Sequence, residues 1–542
     1  MKAYGYCQLY PFLRIAVCLA SGIAGGYVLR DYLAPSMVYA AFFVTLLAGF
    51  ITMRHPTVQS ILLMGAVGTG GASLLMLHAE QLHLKSSDTE TVYRAVLLNR
   101  PTARGKVVRC DIRMIDGEYA GKTIRATILR DTLTGRHSHL DTGDGILAYS
   151  SVRPLTDDTR RFNYALYLRT QHIAGTTFIH HNAWKEVTAD LSTLTSAERT
   201  RLRLLRWRDR LKEEYRLKGF DENEYAIISA MTLGDKTTLT PDLKDTFAAG
   251  GASHLLALSG LHLGIFYGLL TLLVPKRRHP YLSGLLLMAT IWGYTMLVGM
   301  MPSVVRAAIM LSIYAFVELL GRKKLSPNTL GLAATIMLTV HPFGFFDIGF
   351  QLSFMAVFGI ALCHDSLLRV IPRRWQTKIA VPVWSIVSVS LAAQISVMPL
   401  VIYHFGSFPT YFLLTNLVAV PLATVILYLS VAVWGLSFSS SLQTIVVSAL
   451  SGFAHTLNEF LKWVAALPGA NLQGLSINLP QLAAIYVGFA FMFALLHRLF
   501  PRHFDPILTR SHESPNRYCS MTGKEPASGR KLSGSMEYED KK

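Results

Sequence analysis

The sequence predicts a polytopic α-helical membrane protein of about twelve spans, with a small extracytoplasmic all-β domain of the OB kind inserted after the third span. Three observations carry that class. Hydrophobic residues make up 51% of the 542-residue chain and charged residues 16%, with a mean hydropathy of +0.35. Apolar runs near the ~20 residues that cross a bilayer recur along the chain. Between the third run and the fourth, the sequence turns polar and alternates in the manner of strands. The net charge of +18 suits nucleic acid or an anionic membrane surface, and in a membrane protein much of it sets orientation. Cys7, Cys18, Cys110, Cys363 and Cys519 show no zinc spacing, which argues against a cysteine-based metal site.

The opening runs cover 11–29, 34–52 and 58–77 and form an N-terminal membrane segment, 1–85. The first is followed by two more, so it reads as a retained span rather than a removed leader. From 86 to 182 come KVVRCDIRMI, KTIRATILR and GILAYSSVRPL, punctuated by Asp116-Gly117 and Asp144-Gly145. A five-stranded OB barrel is the simplest fold for them; such barrels often hold single strands, although fold alone does not give function. Cys110 is alone there, so no disulfide forms within the domain. Residues 197–220 then predict an amphipathic helix with Leu204, Trp207, Leu211 and Tyr215 on one stripe and Arg199, Arg203, Arg206 and Arg210 on another. Such a helix belongs on the membrane surface. Lipid headgroup contact is the plainer role of its arginines, and guiding a polyanion is the functional one.

The membrane domain, 221–500, carries apolar runs near 254–274, 281–299, 303–320, 327–341, 344–362, 380–403, 409–435, 443–466 and 477–497. Basic clusters follow alternate spans: Lys276, Arg277 and Arg278; Arg322, Lys323 and Lys324; Arg369, Arg373, Arg374 and Lys378; Arg498 and Arg502. By the positive-inside rule these are cytoplasmic, both termini lie inside and the β-domain lies outside. The run 327–341 is short for a span, and the link 436–442, cytoplasmic in this register, is uncharged. Residues 501–542, polar and rich in Pro, Ser and Gly, read as a disordered cytoplasmic tail.

Polar residues interrupt these spans. In GGASHLLALSGLHLG, 250–264, His254 and His262 differ by about 80° on a continuous helix, with Ser259 near the same face. Ser259-Gly260 is a site where a membrane helix can break, which is tolerated only where the backbone faces protein or a wet cavity. These residues read either as the start of a polar crevice or as small-residue helix contacts with interhelical hydrogen bonds. Arg306 in GMMPSVVRAAIM either faces a cavity or partner or snorkels. Asp347, four before Gln351, is the acid in its run and a structural partner for Arg306. Gln394, Tyr403, His404 and Asn416 repeat the pattern. Each alone is ordinary interhelical glue; together, with glycine and proline interruptions, they favour a conduit. Gly234, Asp235 and Lys236 form a turn before a helix capped by Thr240-Pro241. Lys236 is then either a solvated loop lysine or a phosphate contact at the outer mouth.

In order along the chain, LGDKTTLTPDLKDTF, GGASHLLALSGLHLG, MPSVVRAAIM, HPFGFFDIGFQLSFMAVFGI, SLAAQISVMPLVIYHFG and NLVAVPLAT resemble the ComEC competence proteins, DNA-uptake channels of the bacterial cytoplasmic membrane. RRFNYALYLRTQHIAGT at 160–176 is similar to the end of that family's outward OB domain. The resemblance implies passage of one DNA strand into the cytoplasm during natural transformation, with a DNA-receptor protein outside. Full-length members carry a C-terminal domain like the metallo-β-lactamases, thought to degrade the other strand. A short tail stands in its place here, so degradation of that strand is expected from another polypeptide or not at all. His137, His139 and Asp141 in GRHSHLDTGD lack the second histidine of HxHxDH, replaced by Thr142, and do not predict a metal site.

Under this reading single-stranded DNA and membrane lipid are the ligands, no cofactor is expected and the chain is not an enzyme. Lys236 and Arg306 contact phosphates, while His254, Ser259, His262, Gln351, Gln394, His404 and Asn416 line the path. Without a P-loop, drive is expected from a partner ATPase or from single-strand-binding proteins in the cytoplasm. Two other classes compete: a secondary transporter for a small anion or metabolite, and an intramembrane serine protease with Ser259 as nucleophile and His262 or His404 as base.

Overall fold

A computed structural model describes residues 10–84, 89–131, 135–157, 163–189, 191, 194–273, 280–319, 327–371 and 377–499. The basic clusters at 276–278, 322–324 and 373–374, Arg502, Cys7, Cys519 and the expected tail lie outside the described residues. The chain opens with α1 (Pro11–Leu29), α2 (Pro35–Ile51) and α3 (Pro56–Leu82). Each starts on proline, whose missing N–H costs nothing in a first helical turn. α1 and α3 approach backbone to backbone: a Cβ on Gly22 would strike the Gly68 carbonyl, and one on Gly71 would lie 2.5 Å from the Leu19 carbonyl oxygen. Glycine is needed at both crossings.

The β-region comprises β1 (Thr91–Leu97), β2 (Thr102–Arg104), β3 (Val107–Met114), β4 (Thr123–Leu129), β5 (Gly145–Ser150), β6 (Val152–Pro154), a short α4 (Tyr164–Arg169), β7 (Gly175–Ile179) and β8 (Trp184–Val187). β1 pairs antiparallel with β3 and β5, β3 with β4, β4 pairs parallel with β7, and β7 pairs antiparallel with β6. Only Ser151 separates β5 from β6, so the pairings close into a ring, and β8 extends the sheet to Val187. Alternation along β3 and β4 turns Val108, Ile112, Ile124 and Ile128 into a fully buried interior. Within it a hydroxyl chain joins Tyr93 to Ser150 and Ser150 to Thr177, each at 2.7 Å. Cys110 is buried beside them, and burial pushes its thiol up to about 12, which makes it inert.

The helical region runs α5 (Ser196–Arg216), α6 (Glu222–Leu233), α7 (Pro241–Ala249), α8 (Ser253–Leu256), α9 (Gly260–Leu273), α10 (Pro280–Leu297), α11 (Pro302–Leu319) and α12 (Pro327–Val340). A 3-10 turn (Pro342–Phe346), α13 (Ile348–Leu368), α14 (Ala380–Phe405), β9 (Ser407–Pro409), α15 (Phe412–Gly435), α16 (Ser440–Ala465), β10 (Asn471–Gln473) and α17 (Leu479–Leu499) complete it. Among the described residues six helices, α1, α3, α11, α13, α14 and α15, are long and apolar enough to cross a membrane. α2, α9, α10, α12 and α17 carry apolar stretches of 10–17 residues.

The helix expected to lie on lipid with its apolar stripe is instead built into the protein. α5 carries a capping box between Thr195 and Glu198 and buries Leu202, Leu205, Leu211 and Tyr215. The Tyr215 hydroxyl donates to the Ser430 carbonyl on α15 at 2.9 Å. Trp207, expected on that stripe, is 51% exposed. Leu211 and Tyr215 of the same stripe are buried, and beside them Lys212 is drawn inward, to Asp209 at 2.7 Å and Asp235 at 3.1 Å.

Three helix ends converge on the β-region. Arg30, just past α1, reaches Asp157 at 2.5 Å, which Arg169 also holds at 2.7 Å. Lys122 donates to the Gln81 carbonyl at the end of α3. His341, just past α12, donates from Nε2 to the Thr170 carbonyl at 2.9 Å. Burial acts to raise the Asp157 carboxyl, but hydrogen bonds from Arg169 and Asn163 and the charges of Arg169 and Arg30 hold it below the usual range. Its contribution is therefore present above the unfolded value of about 3.9 and fades as pH falls through the folded one. Asp157→Asn should lower stability by about 1 kcal/mol at pH 7. Thermal unfolding in detergent from pH 7 downward should show the gap closing below pH ~4.

Candidate functional site: a polar crevice at a broken helix

After α8 the chain becomes extended at Ala257 (φ −101°, ψ 130°) and becomes helical again at Gly260. Three residues, Ala257 to Ser259, thus interrupt an otherwise apolar helical path. Their backbone groups find side chains. The Ser303 hydroxyl at the start of α11 donates to the Leu258 carbonyl at 2.7 Å. The Ser259 N–H donates to His262 Nδ1 at 3.3 Å, and the Ser259 hydroxyl lies 2.9 Å from the same nitrogen. His262, three residues on, closes the first turn of α9 as the third residue of a capping box would.

The break separates the two histidines that a continuous helix would have placed on one face. His254 sits on α8 and is exposed, whereas His262 is 1% exposed. They remain within electrostatic reach of each other. Because an amide donates to His262 Nδ1, the neutral ring is assigned its proton on Nε2. That atom is buried and has no partner among the described residues. Gly260 faces α11, where a Cβ would stand 3.5 Å from that of Ala307.

One residue before Ala307, Arg306 donates from Nη1 to Asp347 Oδ2 at 2.6 Å. Asp347 also caps α13, accepting the Phe350 N–H at 3.1 Å. The carboxylate expected to answer Arg306 therefore does so, and Arg306 carries no free charge. A Cβ on Gly349 would lie 2.7 Å from Arg306 Nη2, so glycine makes room for the guanidinium. Arg306 Nε remains buried and unpartnered among the described residues. The network continues through Gln351, which donates to the Phe345 carbonyl at 3.1 Å and accepts from His404 Nε2 at 3.0 Å. Two polar pairs, Arg306–Asp347 and Gln351–His404, thus tie α13 to α11 and to α14.

Gly234 ends α6 in the left-handed region (φ 71°), and a Cβ there would meet Leu258 and Met301 at 2.7 Å. The loop therefore rests on the helix break and on the turn into α11. Asp235 is buried against Lys212, while Lys236 is exposed without a partner among the described residues. Asn416 and Gln394 stand apart from the network. Asn416 donates to Ser390 Oγ at 3.4 Å and leaves its carbonyl oxygen unpartnered; Gln394 is half-buried with no hydrogen bond to the described residues. On α5, Arg206 donates to the Thr142 carbonyl at 2.8 Å and lies 3.8 Å from Asp144. Arg199, Arg203 and Arg210 are exposed. Asp141 of the HxHxD string pairs with Arg100 at 3.2 Å.

Sequence reasoning missed Ser303 and the Lys212–Asp235 pair. Ser303 had a legible signal, an N-terminal serine beside proline at a span boundary, whereas the burial of Lys212 depends on elements far away in sequence.

His262 Nε2 and Arg306 Nε are both buried donors without a hydrogen-bond partner among the described residues. Arg306→Ala and Asp347→Asn should each cost roughly 2 kcal/mol, since either strands a partly buried charge or its donors. The double variant should cost clearly less than the sum, and denaturant unfolding of the single and double variants measures the coupling.

Residues 231–499 match the sequence profile of a family described as Competence protein. ComE operon protein 3 of Bacillus subtilis (strain 168) is 28% identical over 268 residues, 48% of this chain and 32% of that protein. An uncharacterized protein of Aquifex aeolicus (strain VF5) is 33% identical over 156 residues, 29% of this chain and 37% of its own. The uncharacterized protein YcaI of Escherichia coli (strain K12) is 25% identical over 215 residues, 37% of this chain and 28% of its own. The chain spans about a third of the length of these relatives. No solved structure matches it.

Proposed function

The chain is a ComEC-family competence protein through residues 231–499, and from that premise we propose that it passes one strand of DNA across the bacterial cytoplasmic membrane. Family membership supports a role in DNA uptake, and the observation that carries the finer reading is the broken helix. A break among membrane-length helices, with side chains satisfying its backbone and spare donors beside it, suits a wet path. Arg306 serves that path differently from the phosphate anchor expected of it. Neutralised by Asp347, it offers a directional donor and little field, so a polyanion meets weak contacts it can leave. Unneutralised cations, Lys236 and the exposed α5 arginines, stand at the rim and gather the strand.

In this reading the protein is multi-pass, and the helices that flank the six long, apolar ones complete about twelve spans. The closed strand ring with its parallel β4–β7 pairing supports an OB-like domain. The ends of α1, α3 and α12 meeting that domain support one common side, assigned to the outside. The β-domain receives DNA from a receptor protein. An ATPase or single-strand-binding proteins supply drive from the cytoplasm, and the membrane lipid surrounds the helices.

The protease alternative loses support from the site itself. Ser259 Oγ and its own N–H share His262 Nδ1, which is a cap, and His404 is committed to Gln351. A catalytic base needs a group that orients its far nitrogen, and none of the described residues meets His262 Nε2. The solute-transporter alternative is separated by experiment.

A clean deletion in a competent host should abolish labelled DNA in the cytoplasmic, nuclease-protected pool while surface-bound DNA remains, and the intact protein should restore it. Removal of 90–187 should abolish DNA capture at normal expression. Equal internal DNA with and without the protein would refute the channel, and solute transport unaffected by the removal would favour the transporter.

A further inference from the structure

The exposed side of α5 is built differently from a lipid-facing helix. Its apolar face is spent inside the protein on Leu202, Leu205, Leu211 and Tyr215, yet Trp207, at the edge of that face four residues before Leu211, stands 51% exposed. Arg203, four residues before it, and Arg210, three after, flank the indole on the same face. With Arg199 they form a stripe about 16 Å long. All three arginines are exposed, and no described side chain pairs with them. The stripe's acids lie at its ends: Glu198 is bound to Arg113, and Glu213 and Glu214 occupy the last turn. Arg206 pins the middle of the helix to the Thr142 carbonyl of the β-domain, which fixes the orientation of the face.

We infer that Trp207, with Arg199, Arg203 and Arg210, is a binding site for single-stranded DNA in which the indole stacks on a base and the guanidinium groups hold the flanking phosphates. Charge complementarity selects the occupant. Three unpaired cations in a row call for a polyanion, and a large flat aromatic among them calls for one that carries planar groups between its phosphates. A lipid headgroup answers the charge and leaves the indole without a stacking partner. The site rests on the DNA-uptake reading and adds to it the element that distinguishes a strand with bases from a bare polyphosphate.

The test uses the full chain in nanodiscs of zwitterionic lipid. Binding of a fluorescent oligothymidylate is compared with binding of an abasic oligomer of equal length. Trp207→Ala and Trp207→Leu should each weaken the oligothymidylate about tenfold and leave the abasic oligomer unchanged. Arg203→Ala with Arg210→Ala should weaken both oligomers and reduce the salt slope of log K by about 1.4. Trp207 is exposed, so both Trp207 variants should keep the wild-type melting temperature. Unchanged oligothymidylate affinity in the Trp207 variants, with strong binding by the wild type, overturns the stacking site and spares the DNA reading. No binding of either oligomer by the wild type overturns both. Quenching by brominated lipid but not by the oligomer of the emission that the wild type has and Trp207→Leu lacks assigns the face to the membrane and overturns the inference.

Discussion

A helix that stops inside a bilayer leaves amides and carbonyls where no bulk water can reach them, and each one left unmet costs several kcal/mol. At Ala257–Ser259 the cost is met by side chains recruited for the purpose. Ser303 answers the Leu258 carbonyl, and His262 answers the Ser259 amide. Both solutions dictate their surroundings. Ser303 must begin α11 beside the break, which brings Arg306 one turn further in, and Gly260 must face Ala307 closely. His262, occupied through Nδ1, is left with Nε2 buried and without a hydrogen-bond partner among the described residues. The polar character of the crevice is thus a consequence of breaking the helix there.

Arg306 then needs Asp347, and Asp347 is available because the 3-10 turn Pro342–Phe346 delivers it as the cap of α13. The same turn supplies the Phe345 carbonyl that orients Gln351 toward His404. At the other side of that turn His341 reaches the β-domain through Thr170, and its ring lies 3.9 Å from that of His172. One short segment therefore joins the docking of the β-domain to the Arg306–Asp347 and Gln351–His404 pairs. Charge is distributed accordingly, neutral as a pair within the helices and net positive on exposed Lys236, Arg199, Arg203 and Arg210.

Helix positions were largely legible, because apolar runs punctuated by proline need nothing beyond local sequence to be recognised. Ser259-Gly260 was legible as a break for the same reason, and Arg306–Asp347 because an acid and a base in apolar runs have few other partners. The strand alternation of 106–150 was read directly, whereas β8 beyond 182 was not, since WKEV lacks an apolar period of its own. The face of α5 was misjudged. Of the stripe Leu204, Trp207, Leu211 and Tyr215, the last two are buried and Trp207 is exposed, while Lys212 is buried against Asp209 and Asp235, a tertiary contact that spacing alone does not reveal. His254 and His262 were related by an azimuth that presumed one continuous helix, so the break that was expected also undid that relation. Gln394 and Asn416 matched the pattern of polar residues in spans without joining the network, because composition does not say which way a helix turns.

The account stands on the claim that the break at Ser259 opens to water on a route that DNA occupies. Its most direct measurement places cysteine at Ser259 in a variant whose native cysteines are replaced, reconstituted in vesicles, and follows its modification by a membrane-impermeant thiol reagent. Modification that is rapid and slowed by a single-stranded oligonucleotide is the predicted result. A cysteine that remains unmodified, or is modified at the same rate with and without the oligonucleotide, would contradict the account.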